Sequence, residues 1–139
     1  MTKISIILDL MNKGYNPVAD LTISTGDTVY KYTLPTGAIE RFYILESNIG
    51  EPFWGMSPNV VNRICTTKEN FFVILLATNN GESFVVNKKD IVAMRNSLAS
   101  GISRDKKGNY KLTANEMHKI NGIHVFDDAT LAEFVREQI

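Results

Sequence analysis

The sequence predicts a single α+β domain over residues 1–139, with a mixed, mostly antiparallel sheet of about five to seven strands flanked by about three or four helices. Three observations lead there. The run 71–78 is apolar on both faces, so it needs cover from both sides and belongs at the centre of a sheet. Segments rich in Thr, Val, Tyr and Phe, separated by turn sequences, surround it, whereas helical spacing is confined to 2–13, 57–65, 88–100 and the C-terminal end. The composition, 44% hydrophobic and 22% charged over 139 residues, is that of an ordinary globular chain, and a domain near this size buries roughly 70% of the surface its unfolded form exposes.

Taken in order, Ile4, Ile7, Leu8 and Met11 stand at the spacing of one helical face, with Gly14 where a left-handed C-cap belongs. Runs 21–24 and 28–34, joined by Thr25, Gly26 and Asp27, read as a hairpin, and Pro35, Thr36 and Gly37 end its second strand. Residues 39–46 form a third strand, and 48–57 reads as a loop. Ser57 and Pro58 supply an N-cap and a proline at the first helical position, and Val60, Val61, Ile64 and Cys65 give that short helix an apolar side. After the central strand, Asn79, Asn80 and Gly81 make a tight turn into an antiparallel return strand at 83–86. Asn87, with Asp90 three residues on, caps a helix whose buried stripe is Ile91, Met94 and Leu98 and which ends at Gly101. A polar turn over 104–109 leads to a short strand at 110–112. Thr113 and Glu116 then form a capping box, Asn121 and Gly122 close that helical turn, and 123–126 returns as a strand. Asp127 and Asp128 open a final helix with Leu131, Phe134 and Val135 facing the core.

Net charge is zero, but it is unevenly spread: residues 86–119 carry 8 Lys/Arg against 3 Asp/Glu, while residues 120–139 carry 1 against 4. A local excess of that kind attracts an anionic partner even on a neutral molecule. The longest purely apolar run, 71–77, is far short of the roughly 20 residues that cross a bilayer, so no membrane partner is expected. The N-terminal patch is interrupted by Asp9 and lacks a small-residue cleavage site, and the lone Cys65 has no disulfide partner; both agree with a cytoplasmic protein.

Candidate chemistry is sparse. His118 and His124, with Asp127 and Asp128 close behind, hold metal-binding residue types, but no tight ligand pair such as His-Glu-x-x-His is present and the aspartates already serve as helix caps. Cys65 lies on an apolar helical side, where cysteine serves as a small hydrophobe. Phe53 and Trp54, in a loop with Glu51 and near Glu46, are large aromatics without periodicity: exposed, they anchor a partner protein or stack on a base; folded back, they cover a sheet edge. Lys88, Lys89, Arg95, Arg104, Lys106, Lys107 and Lys111, with Tyr110 among them, present cations suited to phosphates, whose binding releases counterions and depends steeply on salt.

A helix followed by Lys13, Gly14 and Tyr15, a short strand after Asp20, and a later Phe-rich strand pair ending in Val86, Asn87, Lys88, Lys89 and Asp90 resemble in outline, over residues 4–95, the restriction-endonuclease-like nucleases of the PD-(D/E)xK type. The resemblance implies a divalent metal held by one acidic residue and by a downstream Glu-x-Lys or Asp-x-Lys, with Asp20 in the first position. At the second, Val29, Tyr30 and Lys31 keep the lysine without its carboxylate, and Asp105, Lys106 and Lys107 fall in a turn. Without two converging carboxylates a divalent ion loses its site and the attacking water its activation. The expectation is therefore a non-enzymatic binding module without a cofactor, its partner a nucleic acid or an acidic protein surface met by the basic segment 88–111. The alternatives are a nuclease of that type or its inactive relative, and a small inhibitor or adaptor working through Phe53 and Trp54.

Overall fold

A computed structural model describes residues 2–12, 14–20, 29–48, 50–78, 82–100, 106 and 108–126, with only the backbone for 95–100 and 126. The described elements, in chain order, are α1 (Lys3–Asn12), β1 (Val18–Ala19), β2 (Val29–Thr33), β3 (Ile39–Ser47), β4 (Phe53–Met56), α2 (Pro58–Thr66), β5 (Asn70–Ala77), β6 (Ser83–Asn87), α3 (Lys88–Ser100), β7 (Tyr110–Thr113), α4 (Ala114–His118) and β8 (His124–Phe126). The strand expected at 21–24, the turns at 25–27 and 79–81, most of the turn at 104–109, the Leu98 side chain and the helix expected from Asp127 onward lie outside the described residues.

The architecture is mixed α+β, as its sequence pattern predicts: a six-stranded sheet in the order β1-β2-β3-β5-β6-β8, and a separate pair, β4-β7. Among the described strands of the larger sheet only β3 and β5 run parallel, the other four pairings being antiparallel. The parallel step requires a crossover long enough to bring the chain back to the same end, and α2 with β4 supplies it. β5 lies between β3 and β6, and Phe71, Val73, Ile74, Leu75 and Leu76 are all at most 2% exposed. Its alternate residues feed two cores. Phe71, Val73 and Leu75 join α2, α3, β4 and β7 on one face; Ile74 and Leu76 join β2, β3 and α1 on the other. Phe72, near the start of the strand, is only half-buried and packs against the edge of the second core.

α1 turns a different side to the sheet from the one its spacing suggests. Ile6 and Leu10 are buried and Ile7, of the expected face, packs partly against their cluster, whereas Ile4, Leu8 and Met11 are 67, 53 and 52% exposed. Two apolar stripes share this helix, and its C-terminus decides between them: the Tyr15 amide donates to the Leu10 carbonyl and that of Gly14 (φ 89°) to Met11, the paired bonds of a Schellman cap. Tyr15 then meets Tyr32 edge-on at 5.4 Å, which draws Leu10 inward.

The second departure is at 48–57, where a loop is expected. Phe53–Met56 is instead a strand, paired antiparallel with Tyr110–Thr113. Its partner is remote in sequence, so no local turn announces it. Trp54 and Met56 point inward, and the Trp54 indole, 1% exposed, donates to the Leu76 carbonyl at 3.0 Å. Trp54 is therefore part of the core, and of that aromatic pair only Phe53 reaches the surface, half-buried. Among the described residues, Val18–Ala19 pairs antiparallel with Lys31 and Tyr30 of β2.

The expected caps form at α3 and α4 but not at α2. Asn87 Oδ1 accepts from the Asp90 amide at 2.9 Å, and the Thr113 hydroxyl accepts from the Glu116 amide at 3.4 Å. Ser57 precedes Pro58 in extended backbone without a side-chain cap bond. Because Asn87 is exposed and satisfies an amide at the start of a helix, Asn87→Ala is expected to lower stability by about 1 kcal/mol in urea denaturation. No helix among the described residues is long and apolar enough to cross a membrane.

Candidate nucleic-acid interface

Where β6 passes into α3, the β6–β8 ladder covers only Ser83–Val85, and beyond it the sheet opens into a cleft of about 690 Å³. Register decides what lines it. Glu40 on β3 lies opposite Asn70 on β5, and Phe72 on β5 lies opposite Asn87 on β6. Crossing the sheet from β3 to β6, the wall changes from a carboxylate through an amide and an aromatic ring to Lys88 and Lys89 at the head of α3.

Each end of this wall is held from behind. The Tyr32 hydroxyl donates to Glu40 Oε2 at 2.5 Å, and Asn70 Nδ2 reaches Oε1 at 3.4 Å. Burial of Tyr32, reinforced by the Glu40 carboxylate, holds its phenol far above the ordinary range, so it remains a donor. Lys88 Nζ donates to the backbone oxygens of Thr67 and Glu69, which pins its ammonium beside the start of β5. Lys89 is exposed. In the floor, Phe72 stacks on Phe42 at 5.7 Å and 20°, and Val85 is buried beside it.

The remaining cations are distributed differently. Lys111 sits on β7, its ammonium 4.5 Å above the Phe53 ring, in a second cleft of about 450 Å³ shared with Glu51 and Asn115. Lys106 is exposed; Arg104, Lys107 and the Arg95 side chain lie outside the described residues. The geometry thus joins Lys88 and Lys89 to each other and Lys111 to Phe53.

The acidic residue singled out by the nuclease resemblance is also accounted for. The Asp20 carboxylate is wholly buried and receives the Arg41 Nε at 2.7 Å, and another nitrogen of the same guanidinium contacts Glu69. Two carboxylates do converge, but on a guanidinium. His118 pairs with Glu82 at 2.9 Å and lies edge-on to Phe84, while His124 is on β8 at the rim of the first cleft. Among the described residues no group of three or more His, Cys, Asp and Glu side chains is gathered to hold a metal ion. Cys65 is half-buried against the core.

Sequence patterning points to Lys88 and Lys89 through charge alone and passes over Glu40, Asn70 and Phe72. Only the parallel register of β3 on β5 brings these beside the lysines.

No family model matches this chain, and no curated protein does. Among solved structures, one described as "Crystal Structure of MepB" is similar to it, with 8% identity and a TM-score of 0.37, over 99% of this chain and 95% of the other. At that distance no conclusion about this chain follows from the likeness.

Proposed function

We propose that the chain is a non-enzymatic module that binds nucleic acid through its phosphate backbone, with Lys88 and Lys89 as its anchor and Arg95, Arg104, Lys106, Lys107 and Lys111 adding to the positive field. The observation that supports this most is the lysine pair at the head of α3, on the rim of a cleft with an aromatic floor. Helix heads favour anions, and lysines gain affinity for phosphates by releasing counterions. The Asp20–Arg41 pair supports binding without hydrolysis, since a carboxylate bound by a guanidinium is poorly placed to hold a divalent ion. The single cysteine supports a cytoplasmic setting.

Affinity for a DNA or RNA oligonucleotide, followed across a salt series starting at about 50 mM, tests the reading. Binding should weaken linearly in log–log form, and Lys89→Ala should reduce the slope by about 1 at unchanged fold. Absence of binding at low salt, or binding indifferent to salt, would sink it.

A further inference from the structure

We infer that the cleft between β3 and the head of α3 receives one unpaired nucleotide of a single strand, its base over Phe72 with an edge toward Glu40 and Asn70, and its phosphate at Lys89. The inference rests on the phosphate-binding reading and adds what occupies the cleft.

Its volume, about 690 Å³, falls within the roughly 300–1,000 Å³ of small-ligand sites, far more than a lone phosphate needs. Its polarity is graded: an acceptor at one end, an apolar aromatic middle, cations at the other. Glu40 and Asn70 are register partners on neighbouring strands, and Phe72 and Asn87 are the next such pair, so this gradient is built into the sheet. The carboxylate is oriented by the Tyr32 hydroxyl before any ligand arrives.

A nucleotide matches that gradient in order. Its phosphate meets the lysine end, its base offers a flat apolar face to Phe72, and the N–H groups on the base edge donate to a carboxylate that is itself an acceptor. An acidic peptide would satisfy the lysines but bring no planar donor to Glu40, and a purely apolar ligand would take water from the remaining acceptor positions of the Glu40 carboxylate without supplying a donor. In a duplex the base edge is already engaged, so a base can enter the cleft only from a strand whose bases are splayed out.

The test compares four ligands across a salt series starting at low salt by fluorescence anisotropy or competition: single-stranded oligocytidylate, an abasic strand of equal length, a duplex of equal length, and cytidine monophosphate. The base-bearing strand is expected to bind roughly tenfold tighter than the abasic strand. Asn70→Ala and Phe72→Leu should bring that ratio close to one while leaving the salt slope intact, whereas Lys89→Ala should lower the slope. Asn70 is exposed, so its variant keeps the test informative if Phe72→Leu fails to fold. Equal, salt-dependent binding of both strands would overturn this inference while phosphate binding stood. Preference for the duplex, or a mononucleotide binding as tightly as the strand, would also overturn it. Failure of all four ligands to bind would remove the underlying functional reading as well.

Discussion

Trp54→Ala is expected to destabilise the protein by about 3–5 kcal/mol for the lost ring alone, a large part of the roughly 5–15 kcal/mol that keeps a domain folded. The indole is 1% exposed and meets Phe84 edge-on at 5.8 Å. It also closes a polar gap at the end of β5. The pairing of β5 with β6 runs from Phe72 to Leu75 while β3 stays paired with β5 as far as Ala77, and just beyond the β6 ladder the Trp54 N–H donates to the Leu76 carbonyl and the Ala77 amide to the Ser83 hydroxyl. Losing that buried bond adds about 0.5–1.5 kcal/mol. Trp54→Phe keeps most of the ring and removes the donor, so it should show a smaller loss set mainly by the carbonyl. Urea denaturation of both variants separates packing from hydrogen bonding. If the two substitutions cost the same, the bond to Leu76 accounts for the whole effect and the ring adds nothing.

Arg41→Ala is expected to cost about 3–5 kcal/mol by leaving the Asp20 carboxylate, whose side chain is 0% exposed, without its guanidinium. The pair ties β3 to the chain just after β1 at the edge of the sheet, where the Asp20 amide also donates to the Val29 carbonyl at 2.8 Å. Replacing both partners removes the stranded charge. The double variant Asp20→Asn with Arg41→Ala should therefore be more stable than Arg41→Ala alone, a non-additivity that a double-mutant cycle measures. Strict additivity would mean that the two side chains do not sense each other.

The parts of the fold legible in the sequence were those governed by local chemistry or by demands on both faces of one element. The central strand announces itself because Val73, Ile74, Leu75 and Leu76 leave no side for water, and Asn87 and Thr113 announce helices because a cap is a bond within three residues. β4 was not legible: it pairs with a strand more than 50 residues away, and Gly55 in its middle weakens any propensity signal. The buried side of α1 escaped for another reason. Ile4, Leu8 and Met11 repeat as regularly as Ile6 and Leu10, and it is tertiary packing on Tyr32, Phe42 and Ile44 that covers the latter pair.

The candidate cleft follows the same division. Lys88 and Lys89 stand out in the sequence as charge, whereas Glu40, thirty residues from Asn70, becomes their neighbour only through a parallel pairing set by the α2 crossover. Phe72 reads as one more core residue of the central strand, yet it is half-exposed in the wall of the cleft.

Binding of nucleic acid at the cleft by the head of α3 is tested most directly by following backbone amide resonances of the ¹⁵N-labelled protein during titration with single-stranded oligocytidylate at low salt. The largest shifts are expected at Asn70, Phe72, Asn87, Lys88 and Lys89, growing with added strand and reversed by added salt. Shifts centred instead on Phe53, Lys111 and Asn115, or a spectrum that does not change, would contradict it.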